Sequence, residues 1–269
     1  MKTLVINISL ALILFITSCR SEIKKTDSSL NNFDLSEIDY DYVKDIDGNI
    51  YEVIQIGHQI WMAENLKTTH YNDGTPIPNV KSRWQWKKLN EGAYCWYKNN
   101  YEKHGSTYGA LYNYYAVNTG KLCPDGWRVP SLTEFKLLIL YAGGYEIAGN
   151  SLKIEGRDYW LYNNTEVTND LGFSALPGGY RSGRSFSSGG IEGMMSNFKS
   201  IGYNGFWWTS TQYRRPAEHG EHYDFYDNSA HDFGLIGLSP YASNYDNHLY
   251  SGTNKRYGFS VRCVKRKIN

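Results

Sequence analysis

CPDGWRVPSLTEFKLLILYAGG, residues Cys123 to Gly144, is the stretch on which the reading of this chain turns. Pro124, Asp125 and Gly126 form a turn, and Trp127–Val129 continue it as a short extended piece. Ser131 and Glu134 then make an S-x-x-E capping box, each side chain satisfying a backbone donor that the new helix leaves unpaired. Leu132, Phe135, Ile139 and Ala142 fall on one helical stripe, and Gly143-Gly144 supplies the stop. Leu137, Leu138 and Leu140 add apolar bulk on the other sides, so the segment reads as a buried helix with the β-rich remainder packed around it.

Working outward, the composition favours strands, tight turns and wet contact surfaces: 24 Tyr, 8 Trp and 26 Gly among 269 residues, with 20% charged. Lys2 is the single charged residue before Cys19, so the chain from Cys19 onward balances 27 basic against 27 acidic side chains. A neutral protein has no whole-molecule field for nucleic acid, and none is expected as a partner.

The N-terminus, MKTLVINISLALILFITSC, has one Lys, an apolar run from Leu4 to Ile16, and small polar residues before Cys19. That run is too short for a comfortable membrane span, and residues 1–18 read as a secretory leader. Ile16-Thr17-Ser18-Cys19 resembles a bacterial lipobox, which makes Cys19 the expected lipidation site. Residues 19–44 are polar and Ser/Asn/Asp-rich, a tether between lipid and domain. The domain itself is expected over 45–267, anchored in the cell envelope at the outer membrane or cell surface.

Cys95, Cys123 and Cys263 remain, and an oxidising compartment permits one disulfide. A Cys123–Cys263 pair is favoured, tying the start of the helix to the last strand. Cys95, in AYCWY, reads as a small buried apolar side chain rather than a nucleophile, because no local His or acid stands beside it.

Along the chain, Asp45-Ile-Asp47-Gly48-Asn49 departs from calcium-loop spacing and reads as a hairpin turn. Tyr51–Ile56 and Gln59–Met62 form a hairpin across Gly57-His58. Asn72–Pro76 is a turn cluster, Gly92–Tyr97 a strand, and Thr107–Val117 a short helix with Tyr108, Leu111, Tyr112 and Tyr115 inward. Gly172–Leu176 and Gly178–Arg181 read as strands flanking Pro177, Ser182–Asn204 as a Gly/Ser-rich excursion, and Gly205–Thr211 as a strand. Glu221–Asp227 alternates Tyr223 and Phe225 against polar neighbours, and Gly237–Asn254 is a loop. Tyr257–Lys265 closes the chain as a strand with Phe259, Val261 and Cys263 on one face. The fold class is α+β, with short strands and long loops around one or two helices in a single domain.

Several ordered blocks carry a resemblance: Ile60–Leu66 (IWMAENL), Tyr71–Thr75 (YNDGT), Gly92–Tyr97 (GAYCWY), Gly126–Pro130 (GWRVP), Ala175–Tyr180, Trp207–Thr211 (WWTST) and Gly258–Val264. Together they resemble the Fibrobacter succinogenes major paralogous domain, a family of bacterial secreted proteins and lipoproteins with no established activity. The run Trp127–Phe135 and the Ser260–Val264 ending also resemble the C-type-lectin-like fold, which includes the formylglycine-generating enzymes. That likeness implies paired terminal strands and long loops on one side. The calcium-site tripeptides of sugar-binding lectins do not occur here. The copper-using enzymes need two neighbouring reactive cysteines, whereas Cys123 and Cys263 look committed to structure. Fold analogy alone carries no function.

Candidate chemistry is sparse. His219, Glu221 and His222 lack metal-site spacing, and Asp224, Asp227 and Asp232 read as solvent-facing. No catalytic residue, metal or cofactor is expected. Loop-borne Tyr213 with Arg214 and Arg215, and Tyr241 with Tyr245, are the candidate ligand-binding residues, since tyrosine presents a large amphipathic face at low entropic cost. The expected function is a lipid-anchored, non-catalytic binding or adhesion module for a glycan or protein partner. The alternatives are a structural surface-assembly protein and an enzyme of the modifying-factor or hydrolase type.

Overall fold

The structure, a computed structural model, describes residues 42–161, 166–183, 197–212, 229–236, 242–243 and 253–265. All of them fall in one compact unit, Tyr40–Asn269. The fold is mixed α+β, in three sheets. The first joins β1 (Tyr42–Lys44), β2 (Ile50–Ile56), β3 (Gln59–Met62), β13 (Val264–Lys265) and β6 (Trp127–Arg128) in that spatial order, antiparallel throughout. A small second sheet pairs β4 (Tyr94–Cys95) with β5 (Leu111–Tyr112). The third holds β7 (Gly178–Arg181), β8 (Phe198–Ile201), β9 (Asn204–Gln212), β10 (Ser229–Ile236), β11 (Ala242–Ser243) and β12 (Thr253–Asn254). Its order is β11-β10-β9-β7-β8, with β12 beside β10 and the β7–β9 pair parallel.

The segment that joins these sheets is the C-terminal one, and it changes partner at almost every residue. Gly258 exchanges both backbone hydrogen bonds with Arg181 of β7, and Phe259 does so with Tyr112 of β5. Ser260 donates to Phe206 O (3.0 Å) and accepts from Trp208 N (3.1 Å) of β9. Val261 O accepts from Leu66 N, Cys263 O accepts from Met62 N, and Val264 pairs with Trp61 and Arg128. Alternate side chains therefore enter two different cores. Phe259, Val261 and Cys263 are buried with Tyr112, Tyr114 and Trp208, as the two-residue period predicts. The opposite face is buried too: Ser260, Arg262 and Val264 are each at most 1% exposed, on the side of Trp61, Phe173 and Trp207. Cys123 and Cys263 are joined as expected, with Cα atoms 6.0 Å apart.

The helix Leu132–Tyr141 forms where the sequence places it, with the Ser131–Glu134 capping box intact and Arg128 paired to the same Glu134 carboxylate. Its surroundings correct the expectation of a wrapped helix. Phe135, Leu138, Ile139 and Ala142 are buried, Phe135 with its ring 5.2 Å from Trp61, whereas Leu137, Leu140 and Tyr141 are 42%, 64% and 47% exposed. One face packs against β9 and β10 and the other stays in water, so the helix flanks the fold while the C-terminal segment organises it.

Further expectations are corrected. Thr107–Val117 is not one helix. Gly109, at φ 77°, stops the first turn, Leu111-Tyr112 pair as β5, and Asn113 caps a new turn over Tyr114–Val117 that buries Tyr114 rather than Tyr115. Of Gly92–Tyr97 only Tyr94–Cys95 is strand, and within Gly172–Leu176 there is a single bridge, Ala175 to Lys153. The stretches read as loops, Ser182–Asn204 and Gly237–Asn254, contain β8, β11 and β12. Strand β1 begins inside the stretch read as tether, because Tyr42–Lys44 find partners in Ile50–Glu52.

The Asp45–Asn49 stretch is the β1–β2 hairpin turn. The Asp45 carboxylate accepts hydrogen bonds from the backbone of Asp47 and Asn49, the Asn49 amide and the Tyr51 hydroxyl. Those donors occupy the oxygens that a calcium ion would need.

Candidate binding site

Between β4 and β5 the backbone takes an uncommon path. Lys98 and Asn99 are both left-handed (φ 51° and 56°), each at a cost of about 1–2 kcal/mol for a residue with a Cβ. Tyr101–Gly105 follow as a single π-helical turn, capped by the Asn100 side chain accepting from Lys103 N at 3.0 Å. Strained and π-type backbone persists only where surrounding contacts over-determine it, and it concentrates at functional sites. The contacts here are specific. Asn99 N donates to Trp96 O, and its side-chain amide donates to Lys81 O at 3.3 Å. Gly105 lets two rings close on the backbone: a Cβ there would sit 2.6 Å from Tyr101 and 2.7 Å from Trp96.

The result is a set of aromatic rings that meet pairwise. Trp96 and Tyr97 are buried. Tyr101 lies edge-on to Trp96 at 4.8 Å, and His104 lies edge-on to Tyr97 at 5.2 Å. A row of contacts continues from His104 to Tyr108 (6.4 Å) and from Tyr108 to Tyr159 (6.4 Å, nearly perpendicular). Tyr101 is 42% exposed, and His104, Tyr108 and Tyr159 are half-buried, each presenting part of a ring to water. Burial, then the neighbouring Tyr159, push the Tyr108 phenol above its ordinary value. Burial, then Lys103 and Lys98, hold His104 below the usual imidazole range. The rings offer amphipathic faces and hydroxyl groups suited to stacking on a sugar ring or a flat partner surface.

Other polar contacts hold the fold together. Asp47 collects the hydroxyls of Thr68 and Thr69 and the His70 ring, clamping the β1–β2 turn to the 68–70 loop. Among the described residues no group of three or more His, Cys, Asp and Glu is placed to hold a metal ion. Cys95 is fully buried, as its apolar neighbours predict, and burial pushes its thiol up to about 11. At pH 8 the thiolate fraction is then about one in a thousand. Folded protein should leave Cys95 unlabelled by a disulfide-exchange reagent over hours, with the Cys95 thiol appearing on unfolding in urea. Rapid labelling of folded protein would contradict its burial.

Tyr213, Arg214, Arg215, Tyr241 and Tyr245, read from sequence as ligand-binding, lie outside the described residues, as do Cys19, His219, Glu221, His222, Asp224 and Asp227. Asp232 is on β10, its backbone in register with Trp208. Both Trp207 and Trp208 are fully buried, which settles their place in the core. The sequence conceals these rings because Tyr108 reads inward on a helix over Thr107–Val117 that breaks at Gly109. The available signal was the pair Gly105 and Gly109 closing around them.

A family model described as the Fibrobacter succinogenes major domain matches residues 54–265. No curated protein and no solved structure matches the chain.

Proposed function

The chain belongs to the Fibrobacter succinogenes major domain family, and on that premise we propose that it is a non-catalytic glycan-binding module of the bacterial cell envelope. Lipidation at Cys19 would hold it to the outer membrane or cell surface, with the polar stretch after Cys19 giving the domain reach. The observation that carries the reading is the ring series His104, Tyr108 and Tyr159, partly exposed and in mutual contact, with Tyr101 on the same π-helical turn as His104. Rigid aromatics bind at low entropic cost, and a site held by its own packing spends little on ordering when the ligand arrives. Because Cys123 and Cys263 are bonded to each other and Cys95 is buried, thiol chemistry has no place in the reading.

A glycan array probed with the full chain, with Tyr108→Ala beside it, tests the proposal. The expected result is a defined set of bound glycans and a loss of tenfold or more in affinity on substitution, about 1.4 kcal/mol. Binding that survives Tyr108→Ala unchanged, or an array with no signal beside a single envelope protein in a pull-down, would replace it. A second reading rests on the exposed apolar side chains Leu137, Leu140, Tyr141, Tyr145 and Ile147. A contiguous patch of that kind would suit a structural surface-assembly role. Loss of surface integrity on deletion, without any glycan binding, would select it.

A further inference from the structure

Beside the aromatic row the chain carries a concentration of positive charge. Residues 81–103 hold six basic side chains (Lys81, Arg83, Lys87, Lys88, Lys98 and Lys103) against Glu91 and Glu102. That is a local +4 on a chain of formal charge +1, so the rest carries −3. Charge this uneven in an otherwise balanced protein marks where a charged partner is met.

Two of these cations flank one exposed ring. The four-residue helix Arg83–Trp86, capped by Ser82, turns one tryptophan each way. Trp86 is fully buried, stacked on the Arg181 guanidinium at 4.3 Å and donating to Arg256 O at 2.6 Å. Trp84 is 70% exposed, the most exposed of the large apolar side chains in the described residues. The Arg83 guanidinium lies 5.5 Å from its ring centroid and the Lys87 ammonium 5.3 Å. Arg181 also donates to Val80 O (2.6 Å) and Lys81 O (3.0 Å), so the platform under Trp84 is fixed from inside. The same Lys81 carbonyl takes the Asn99 amide, which joins this platform to the left-handed turn that opens the aromatic row. Lys98 and Lys103, at the other end of that turn, are exposed, and both act electrostatically on His104. Among the described residues none of the ion pairs involves Lys81, Lys87, Lys88, Lys98 or Lys103.

We propose that Trp84 and the cations around it extend the aromatic row into a site for an acidic polysaccharide, with sugar rings on Trp84 and Tyr108 and carboxylates on Lys81, Arg83, Lys87 and Lys103. This rests on the glycan-binding reading above and names its ligand class. A flat ring flanked by two cations matches a uronic acid, which offers an apolar ring face and an anionic edge together. The polymer's repeat lets successive residues engage cations along the row, each pair weak alone and additive by valency.

Polygalacturonate and its fully methyl-esterified form are the probes, titrated against the full chain in detergent. They differ in charge and share a backbone. Polygalacturonate is expected to bind at least tenfold tighter, and raising salt from about 50 to 200 mM to weaken it several-fold. Trp84→Ala should lose tenfold or more, and so should the triple variant Lys81→Gln, Lys87→Gln, Lys103→Gln, which avoids the strained Lys98. Trp84, Lys81 and Lys103 are exposed and Lys87 is partly exposed, so circular dichroism of both variants should match the parent. Equal binding of the two polymers, or polygalacturonate binding untouched by both variants, overturns the acidic-ligand assignment and leaves the glycan-binding reading standing. No binding of either polymer overturns the assignment, and an empty glycan array beside it overturns the wider reading too. Binding to vesicles containing anionic lipid in place of the polymer overturns it in favour of a membrane surface.

Discussion

Replacing Cys123 and Cys263 together by Ser should lower the unfolding free energy by about 5 kcal/mol. The bridge spans a sequence separation of 140 residues, and the entropy of closing a loop of that length is worth about 5 kcal/mol in the chain-entropy model. The geometry adds a second reason for a large effect. Cys123 opens the turn into β6, and Cys263 immediately precedes β13. Beside the bridge these two strands pair only through Val264 with Arg128 and Lys265 with Trp127. Without it, the last eight residues of the fold are held by hydrogen bonds and burial alone. Urea unfolding of parent and double variant, read by tryptophan fluorescence, measures the difference. A loss below about 1 kcal/mol would mean that the C-terminal segment is held without the bridge.

Truncating Arg262 to Ala should cost about 4 kcal/mol, because it opens a cavity and strips buried acceptors of their donor at once. Arg262 is fully buried. Its guanidinium donates to Phe173 O and to Asn65 Oδ1, and it lies 4.2 Å from the Phe173 ring centroid and 5.9 Å from that of Trp207. Asn65 is the hub of this polar pocket. Its amide donates to Tyr108 O at 2.8 Å, and its carbonyl also accepts from Trp207 Nε1 at 2.7 Å. Through it Arg262 ties the 173–174 loop to β9 and to the backbone under the aromatic row. Burial pushes the guanidinium down to about 9, which still leaves it charged at neutral pH. Arg262→Met, which refills much of the volume, should cost about 2 kcal/mol, since the acceptors stay unpaired. Equal losses in the two variants would assign the whole effect to hydrogen bonding. No loss in either would contradict the pocket.

What the sequence could disclose was local. The capping box, the β2–β3 hairpin across Gly57-His58 and the apolar run of β9 each carry their physics within a few residues. So does the burial of Cys95 among aromatics. What it hid depends on distant partners. The alternation Phe259, Val261, Cys263 reads as one buried face and leaves the environment of Ser260 and Arg262 unread. Both are buried, because Asn65, Gly178 and the 173–174 loop arrive from the other side. No local pattern announces a strand that serves two cores. The aromatic row was hidden for a related reason. Tyr108, Leu111, Tyr112 and Tyr115 mimic a helical stripe, and only Gly109, at positive φ and where a Cβ would meet Leu66 O at 2.9 Å, breaks it. The exposed Leu137, Leu140 and Tyr141 are the converse case, since apolar bulk on every side of a helix suggested burial where only one layer covers it.

Native-state hydrogen exchange of the amides of Phe259 and Ser260, with those of Tyr112, Trp208, Leu66 and Met62 that donate to the same segment, tests the central claim most directly. If the C-terminal segment joins the three sheets, these amides exchange only through global unfolding. Their opening free energies should then match the urea value and fall together in the Cys123→Ser, Cys263→Ser variant. Exchange of Phe259 and Ser260 through local fraying, while the β9 and β2 amides stay protected, would contradict it.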